Sequence, residues 1–153
     1  MASTNRQFHL VQLPDGPLTR DCFRLAEAAV PEPKDGEVLL RALLMSVDAA
    51  NRAWMQGATY RTALSAGTVM SARGVGEVVE SRHPDFAPGD LAFGDLGWQE
   101  YAALPGNSLM KQPRVTPSSH LLSVYGISGL TAYFGLREVA QAKPGDTVVI
   151  SAA

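Results

Sequence analysis

Cysteine occurs once in these 153 residues, as Cys22. An intrachain disulfide and any multi-cysteine zinc lobe are thereby excluded, and a reducing compartment fits best. The three histidines, His9, His83 and His120, lie far apart, and no pair has the i, i+4 spacing of a ligand set. Charge of one sign is equally scarce. The 13 Lys+Arg face 15 Asp+Glu for a formal net charge of -2, and no basic run marks the footprint of a phosphate backbone, so no nucleic-acid partner is expected. No apolar run approaches the ~20 residues that cross a bilayer, and residues 1–7 lack the apolar stretch of a secretory signal. A cytoplasmic protein with no membrane partner is the expectation.

What is present is ordinary globular material, 46% hydrophobic and 18% charged. A chain of this length buries roughly 70% of its unfolded surface and forms about one domain. With 14 glycines and 10 prolines the chain exceeds the average share of about 12%, which points to a turn-rich β domain. Period-2 patterning predicts short strands over 8–13 and 23–27. Residues 37–45 are almost continuously apolar and suit a strand buried on both faces, the expected centre of a sheet. Asp48 as N-cap and Gly57 as terminator predict a helix over 49–56.

Further strands are expected over 68–81, broken by the pair Gly74 and Gly76, which signals a bulge or a close backbone approach. Two more, at 90–93 and 98–104, are expected to be joined by the turn Gly94-Asp95-Leu96-Gly97. Pro-Gly-Asp occurs twice, at 88–90 and 144–146, each as a type II turn launching an apolar strand. Near Pro117 the pattern switches. Ser118 or Ser119 is expected to cap a helix carrying Leu121, Leu122 and Val124. A second helix carries Leu130, Tyr133, Phe134, Leu136 and Val139, and residues 147–151 read as a strand of a parallel sheet. That last segment is expected to begin a second domain and, without its sheet, to fray or pair between chains. His83, before Pro84, is expected as a solvated turn histidine, and Cys22 as a half-buried structural thiol.

Several stretches recur together in one known order: Val38-Leu39-Leu40-Arg41, Ser46-Val47-Asp48, Gly67-Thr68-Val69-Met70, Gly74-Val75-Gly76-Glu77-Val78-Val79-Glu80-Ser81, Phe86-Ala87-Pro88-Gly89-Asp90, Gly97-Trp98-Gln99-Glu100-Tyr101, Gly129-Leu130-Thr131-Ala132-Tyr133 and Pro144-Gly145-Asp146-Thr147-Val148-Val149-Ile150-Ser151. The set resembles the medium-chain dehydrogenase/reductase superfamily. Within it the likeness is to the zinc-independent, NADP-dependent double-bond reductases, which include prostaglandin and leukotriene B4 reductases and bacterial curcumin reductase.

The resemblance implies a mainly β fold with some helix: a GroES-like, partly open β-barrel catalytic domain over 1–120, followed over 121–153 by the entry helices and first strand of an incomplete, NADP-binding Rossmann domain. Zinc-dependent relatives carry a cysteine near Ser46 and a histidine near Ala72, so the implied cofactor is NADP(H) and no metal. The implied activity, belonging to a complete parent protein, is hydride transfer to the β-carbon of an α,β-unsaturated ketone or aldehyde, with protonation of the enolate. Quinone reduction is the alternative within the class, and a non-enzymatic GroES-like module or inactive fragment the alternative outside it. A small-molecule enone, enal or quinone is the expected partner, with a homodimer as one option for the parent.

By the same resemblance Ile127, Ser128 and Thr131 lie near the nicotinamide, and Asn51, Arg52 and Tyr60 lie around the substrate. The residues themselves leave alternatives open. Tyr60 serves equally well as an amphipathic packing residue, and Arg52 as a partner of Asp48. Two departures stand out. Asp48-Ala49-Ala50-Asn51-Arg52 replaces the relatives' Asp-Pro-Tyr-Met-Arg, so the pocket is expected to differ in shape, and Gly126-Ile127-Ser128-Gly129 replaces Gly-Met-Pro-Gly, a nearly neutral change where the turn contributes backbone groups.

Overall fold

A computed structural model of the chain describes residues 4–151. They form two compact units that divide between Arg114 and Val115. The first holds eight strands and one helix: β1 (Thr4–Leu10), β2 (Phe23–Ala29), β3 (Glu37–Met45), α1 (Ala49–Gln56), β4 (Thr68–Val69), β5 (Arg73–Ser81), β6 (Leu91–Asp95), β7 (Tyr101–Pro105) and β8 (Met110–Gln112). Three strands pair in the order β2-β1-β4 and five in the order β7-β3-β5-β6-β8. The mainly β expectation, with a barrel that is only partly open, is met: among the described residues the strands form two ladders and no closed barrel.

Expected and observed elements differ where pairing is decided at long range. In the five-stranded sheet β5 is the middle strand, and β3, expected there, lies one place from the edge. Residues Val38, Leu39 and Leu40 are nevertheless buried in succession, as a strand covered on both faces requires. The glycines of β5 explain its place. A Cβ on Gly74 would sit 2.5 Å from the Leu44 carbonyl oxygen and 2.8 Å from Leu96 Cδ1, and one on Gly76 would sit 3.0 Å from the Arg41 oxygen. The ladder between β3 and β5 shifts register between Ala42 and Leu44, opposite these glycines.

The expected hairpin between 90–93 and 98–104 does not form. β6 pairs with β5 and β8, while β7 pairs with β3 at the other edge. The intervening segment has other partners: Leu96 is 1% exposed, and the Trp98 oxygen accepts from Phe8 N at 2.8 Å while Glu100 N donates to the Arg6 oxygen at 3.1 Å. Fully buried Asn5 strengthens this link between the sheets. Its Nδ2 donates to the Tyr101 oxygen at 2.9 Å, and its Oδ1 accepts from Tyr101 N at 3.0 Å and Glu100 N at 3.1 Å.

Two apolar clusters hold this unit. Val38, Leu40, Val78, Phe86, Ala92, Leu96, Ala102 and Leu109 pack beneath the larger sheet. Leu10, Cys22, Met55 and Met70 pack beneath the smaller one, with Phe23, Leu64 and Trp98 at the margin. Cys22, expected half-buried, is fully inside. His83 also departs from expectation. Its side chain is only 10% exposed, its Nε2 lies 3.1 Å from Asn107 Oδ1, and its ring meets Phe86 edge-on. The proline signal describes the backbone turn at 83–84 and says nothing of a ring that folds back over Gly106.

Both Pro-Gly-Asp segments turn as expected, with positive φ at Gly89 (90°) and Gly145 (95°) and the following aspartate accepting from the amide three residues earlier. Only the first launches a strand. Residues 147–151 form none, because no segment among the described residues pairs with them. In the second unit a 3-10 turn over Ser118–Leu121 replaces the expected helix, and Pro117, with no side-chain cap, precedes it where a capping serine was expected. The next helix forms as α2 (Ile127–Phe134) and continues as a π-helical turn over Gly135–Val139.

Candidate functional site

The turn from β3 into α1 is fixed by short-range hydrogen bonds. Ser46 Oγ donates to Asp48 Oδ2 at 2.7 Å, Asp48 Oδ1 accepts from Ala50 N at 2.8 Å, and Asn51 Oδ1 accepts from Asp48 N at 2.8 Å. This is a reciprocal capping box with asparagine at its third position. Asn51, 5% exposed, also donates Nδ2 to the Ser71 oxygen at 3.0 Å, so its amide is committed at both ends. Arg52, expected beside substrate or paired with Asp48, donates instead to the Gly16 oxygen at 2.7 Å.

After Gly57 the chain runs through a loop that returns to α1 where Leu64 N donates to the Trp54 oxygen at 2.9 Å. Arg61 is the centre of this loop. Its guanidinium lies over the Trp54 ring at 4.5 Å, and its Nη1 is 2.9 Å from Asp95 Oδ2 at the end of β6. Ser71 Oγ donates to Asp95 Oδ1 at 2.7 Å. Tyr60 meets Trp54 edge-on at 6.3 Å and remains 73% exposed.

Beside this network lies a cleft of about 480 Å³ lined by Tyr60, Arg61, Arg73, Phe93, Gly94, Asp95, Ser108 and Met110. Apolar wall and hydrogen-bond donors are both present, the combination that orients a small molecule by one polar group. Of the residues expected near substrate, Tyr60 lines the cleft, whereas Asn51 and Arg52 are absent from its lining. Arg61, Ser71, Arg73 and Asp95 carry no local motif, and only the pairing of β5 with β6 and the return of the loop bring them together. A second cavity, also about 480 Å³ and mostly apolar, lies among Phe8, Leu25, Met45, Val47 and Trp98, with Arg6 and Glu100 at its edge.

Ile127, Ser128 and Thr131 occupy α2 in the second unit, all of them exposed. Thr131 Oγ1 donates to the Ile127 oxygen at 2.7 Å. Gly126 precedes the helix without a side-chain cap, and Gly129 N donates back to the Ser123 oxygen at 3.0 Å, which leaves the Ile127 and Ser128 amides for an outside acceptor. For metal, among the described residues no group of three or more His, Cys, Asp or Glu side chains is placed to hold an ion. No helix among them is long and apolar enough to cross a membrane.

Comparison with known proteins adds a consistent picture. Residues 6–112 match the model of a family described as the N-terminal domain of oxidoreductase. Over 151 residues the chain is 39% identical to the NADPH-dependent curcumin reductase of Escherichia coli, covering 97% of this chain and 44% of that protein. Prostaglandin reductase 1 of Oryctolagus cuniculus is 38% identical over 135 residues, covering 86% of this chain and 37% of its own length. The crystal structure of CurA in complex with NADPH from Vibrio vulnificus superimposes with a TM-score of 0.80 at 35% identity, covering 92% of this chain and 42% of that one. The chain thus spans less than half the length of the curated relatives it matches.

Proposed function

We propose, because this chain belongs to the oxidoreductase N-terminal domain family in the zinc-independent branch of the medium-chain dehydrogenases/reductases, that the whole protein reduces the activated C=C bond of α,β-unsaturated ketones or aldehydes with NADPH. The observation that carries the reading is the cleft beside Tyr60, where the tyrosine hydroxyl stands against an apolar wall of Phe93 and Met110. Bound NADPH would supply the hydride.

The chain's own residues would do the rest. Tyr60 offers a hydrogen bond to a carbonyl oxygen, where negative charge develops when the β-carbon is attacked, whereas the Ser108 hydroxyl is already given to the Pro105 oxygen at 2.7 Å. Asn51 fixes the start of α1, and the bond from Arg52 to Gly16 holds that helix to the loop before β2. Both residues are thereby proposed to shape the substrate pocket from behind rather than to line it. Residues 121–153 are proposed to open the NADP-binding Rossmann domain. The uncapped first turn of α2 and the exposed Ser128 hydroxyl fit a polar cofactor group, with Ile127 and Thr131 flanking it. The reaction, a small-molecule substrate and a cytoplasmic setting are proposals about the protein that carries this chain.

The test is anaerobic oxidation of NADPH by the full-length protein with matched enone and quinone substrates. Enone reduction with retention of the saturated ketone product supports the reading. Turnover of quinone alone moves the protein to the quinone reductases, and no saturable NADPH binding sinks both.

A further inference from the structure

We propose that Arg61 is a positioning residue, the tie that holds the Tyr60 hydroxyl at the cleft where the substrate carbonyl binds. This rests on the reductase reading above, in which Tyr60 offers that hydrogen bond. Tyr60 is poorly anchored by its own contacts. It is 73% exposed, and its ring meets Trp54 edge-on at 6.3 Å.

The backbone on either side adds no hold. Among the described residues the backbone hydrogen bond over 59–63 runs from Thr59 N to the Arg61 oxygen at 3.0 Å, so it closes a tight turn over Tyr60 and ties that turn to nothing outside it. The next anchors come later, where Leu64 N donates to the Trp54 oxygen at 2.9 Å and Gly67 N to the Leu10 oxygen at 2.7 Å. The Arg61 side chain is what joins the turn to the sheet. Its Nη1 lies 2.9 Å from Asp95 Oδ2, and its guanidinium lies over the Trp54 ring at 4.5 Å.

An ion pair whose side chains are 29% and 42% exposed holds little by itself. Two features strengthen this one. The guanidinium also stacks on a tryptophan that is 4% exposed, and Asp95 is already oriented, with Ser71 Oγ donating to its two oxygens at 2.7 and 2.8 Å. Dependence therefore runs from Ser71 through Asp95 and Arg61 to the turn that presents Tyr60. A lysine could pair with Asp95 but has no planar group to lie on Trp54. A donor aimed at an oxygen where charge develops acts most strongly when it is ordered before the reaction, and Arg61 supplies that order.

The experiment is a double-mutant cycle in the full-length protein with NADPH and an enone. Arg61→Ala is expected to lower kcat about tenfold with KM nearly unchanged, because the hydrogen bond it secures is strongest in the transition state. In a Tyr60→Phe background the same substitution is expected to change kcat by no more than about twofold, since the hydroxyl it positions is already gone. Arg61→Lys is expected to recover part of the loss. Equal losses in both backgrounds overturn the proposal, because Arg61 would then act on substrate or on the fold without Tyr60. A loss confined to KM overturns it too.

If the native protein reduces no enone, the reductase reading has failed on its own, and proteolysis decides the tie separately. Chymotrypsin cleaves after exposed tyrosines, and Asp95→Ala and Ser71→Ala leave the sequence around the bond between Tyr60 and Arg61 intact. Cleavage at that bond, with other bonds uncut, is expected to quicken about tenfold in Asp95→Ala and by less in Ser71→Ala. Native rates in both variants, or equal acceleration at every other site, overturn the proposal.

Discussion

Asn51 illustrates how a polar side chain near a pocket can be held by structure alone. Its oxygen closes the capping box with Asp48 and its nitrogen ties α1 to the Ser71 oxygen, in surroundings that leave the residue 5% exposed. Asn51→Ala removes a reciprocal cap and strands a buried carbonyl, so a loss of about 2 kcal/mol is expected in thermal or denaturant unfolding. A variant as stable as the native protein but with weakened substrate binding would instead make Asn51 a ligand. At this scale the sequence was partly legible. Tyr60 was singled out by the resemblance, and a tyrosine in a loop is an amphipathic donor wherever it lies. Arg61, Ser71 and Asp95 could not, since each sits in a different segment and has no meaning until β5 pairs with β6 and the loop returns to Trp54.

Elements were legible where their signals are local. α1 starts after Asp48 and ends before Gly57 as the sequence predicts, because cap and terminator act on neighbouring amides. Strand partners were not, since β6 and β7, close in sequence, go to opposite sides of the larger sheet. The link between the two sheets is equally long-range and depends on β1 meeting the segment before β7. There Arg6 Nε donates to Glu100 Oε1 at 2.9 Å, and this side-chain bond, ahead of the backbone bond from Arg6 N, holds the Glu100 carboxyl below its ordinary value. A carboxyl with a lower pKa in the folded state stabilises the fold at pH values above its unfolded value, near 4.3, and loses that contribution as pH falls through the folded value. Glu100→Gln, which keeps the shape, is therefore expected to melt somewhat lower than the native protein at pH 7. The gap should close below about pH 4, and narrow in high salt because the pair is exposed. A gap unchanged across that acid range would show that packing, not charge, joins these sheets.

For the whole molecule, burial is distributed unevenly between the two units, and opening free energies should follow it. The buried members of both apolar clusters lie in the first unit, whereas α2 has no buried residue and Val148, Val149 and Ile150 are 50%, 87% and 74% exposed. The β-branched run at 147–150 was legible as strand material, but a strand exists only with a partner, and partner choice lies outside any local window. Segments with few buried contacts open at a small fraction of the global unfolding free energy. Hydrogen exchange of this chain is therefore expected to be slow in β3, β5 and β6. Amides over 127–151 should exchange faster by about two orders of magnitude or more, which corresponds to roughly 3 kcal/mol less protection. Protection at 147–150 equal to that of β5 in a monomeric sample would mean that these residues are paired after all. The same protection appearing only as concentration rises would mean that the partner is a second chain, since an unpaired run of apolar, β-branched residues is the kind of edge to which another strand adds.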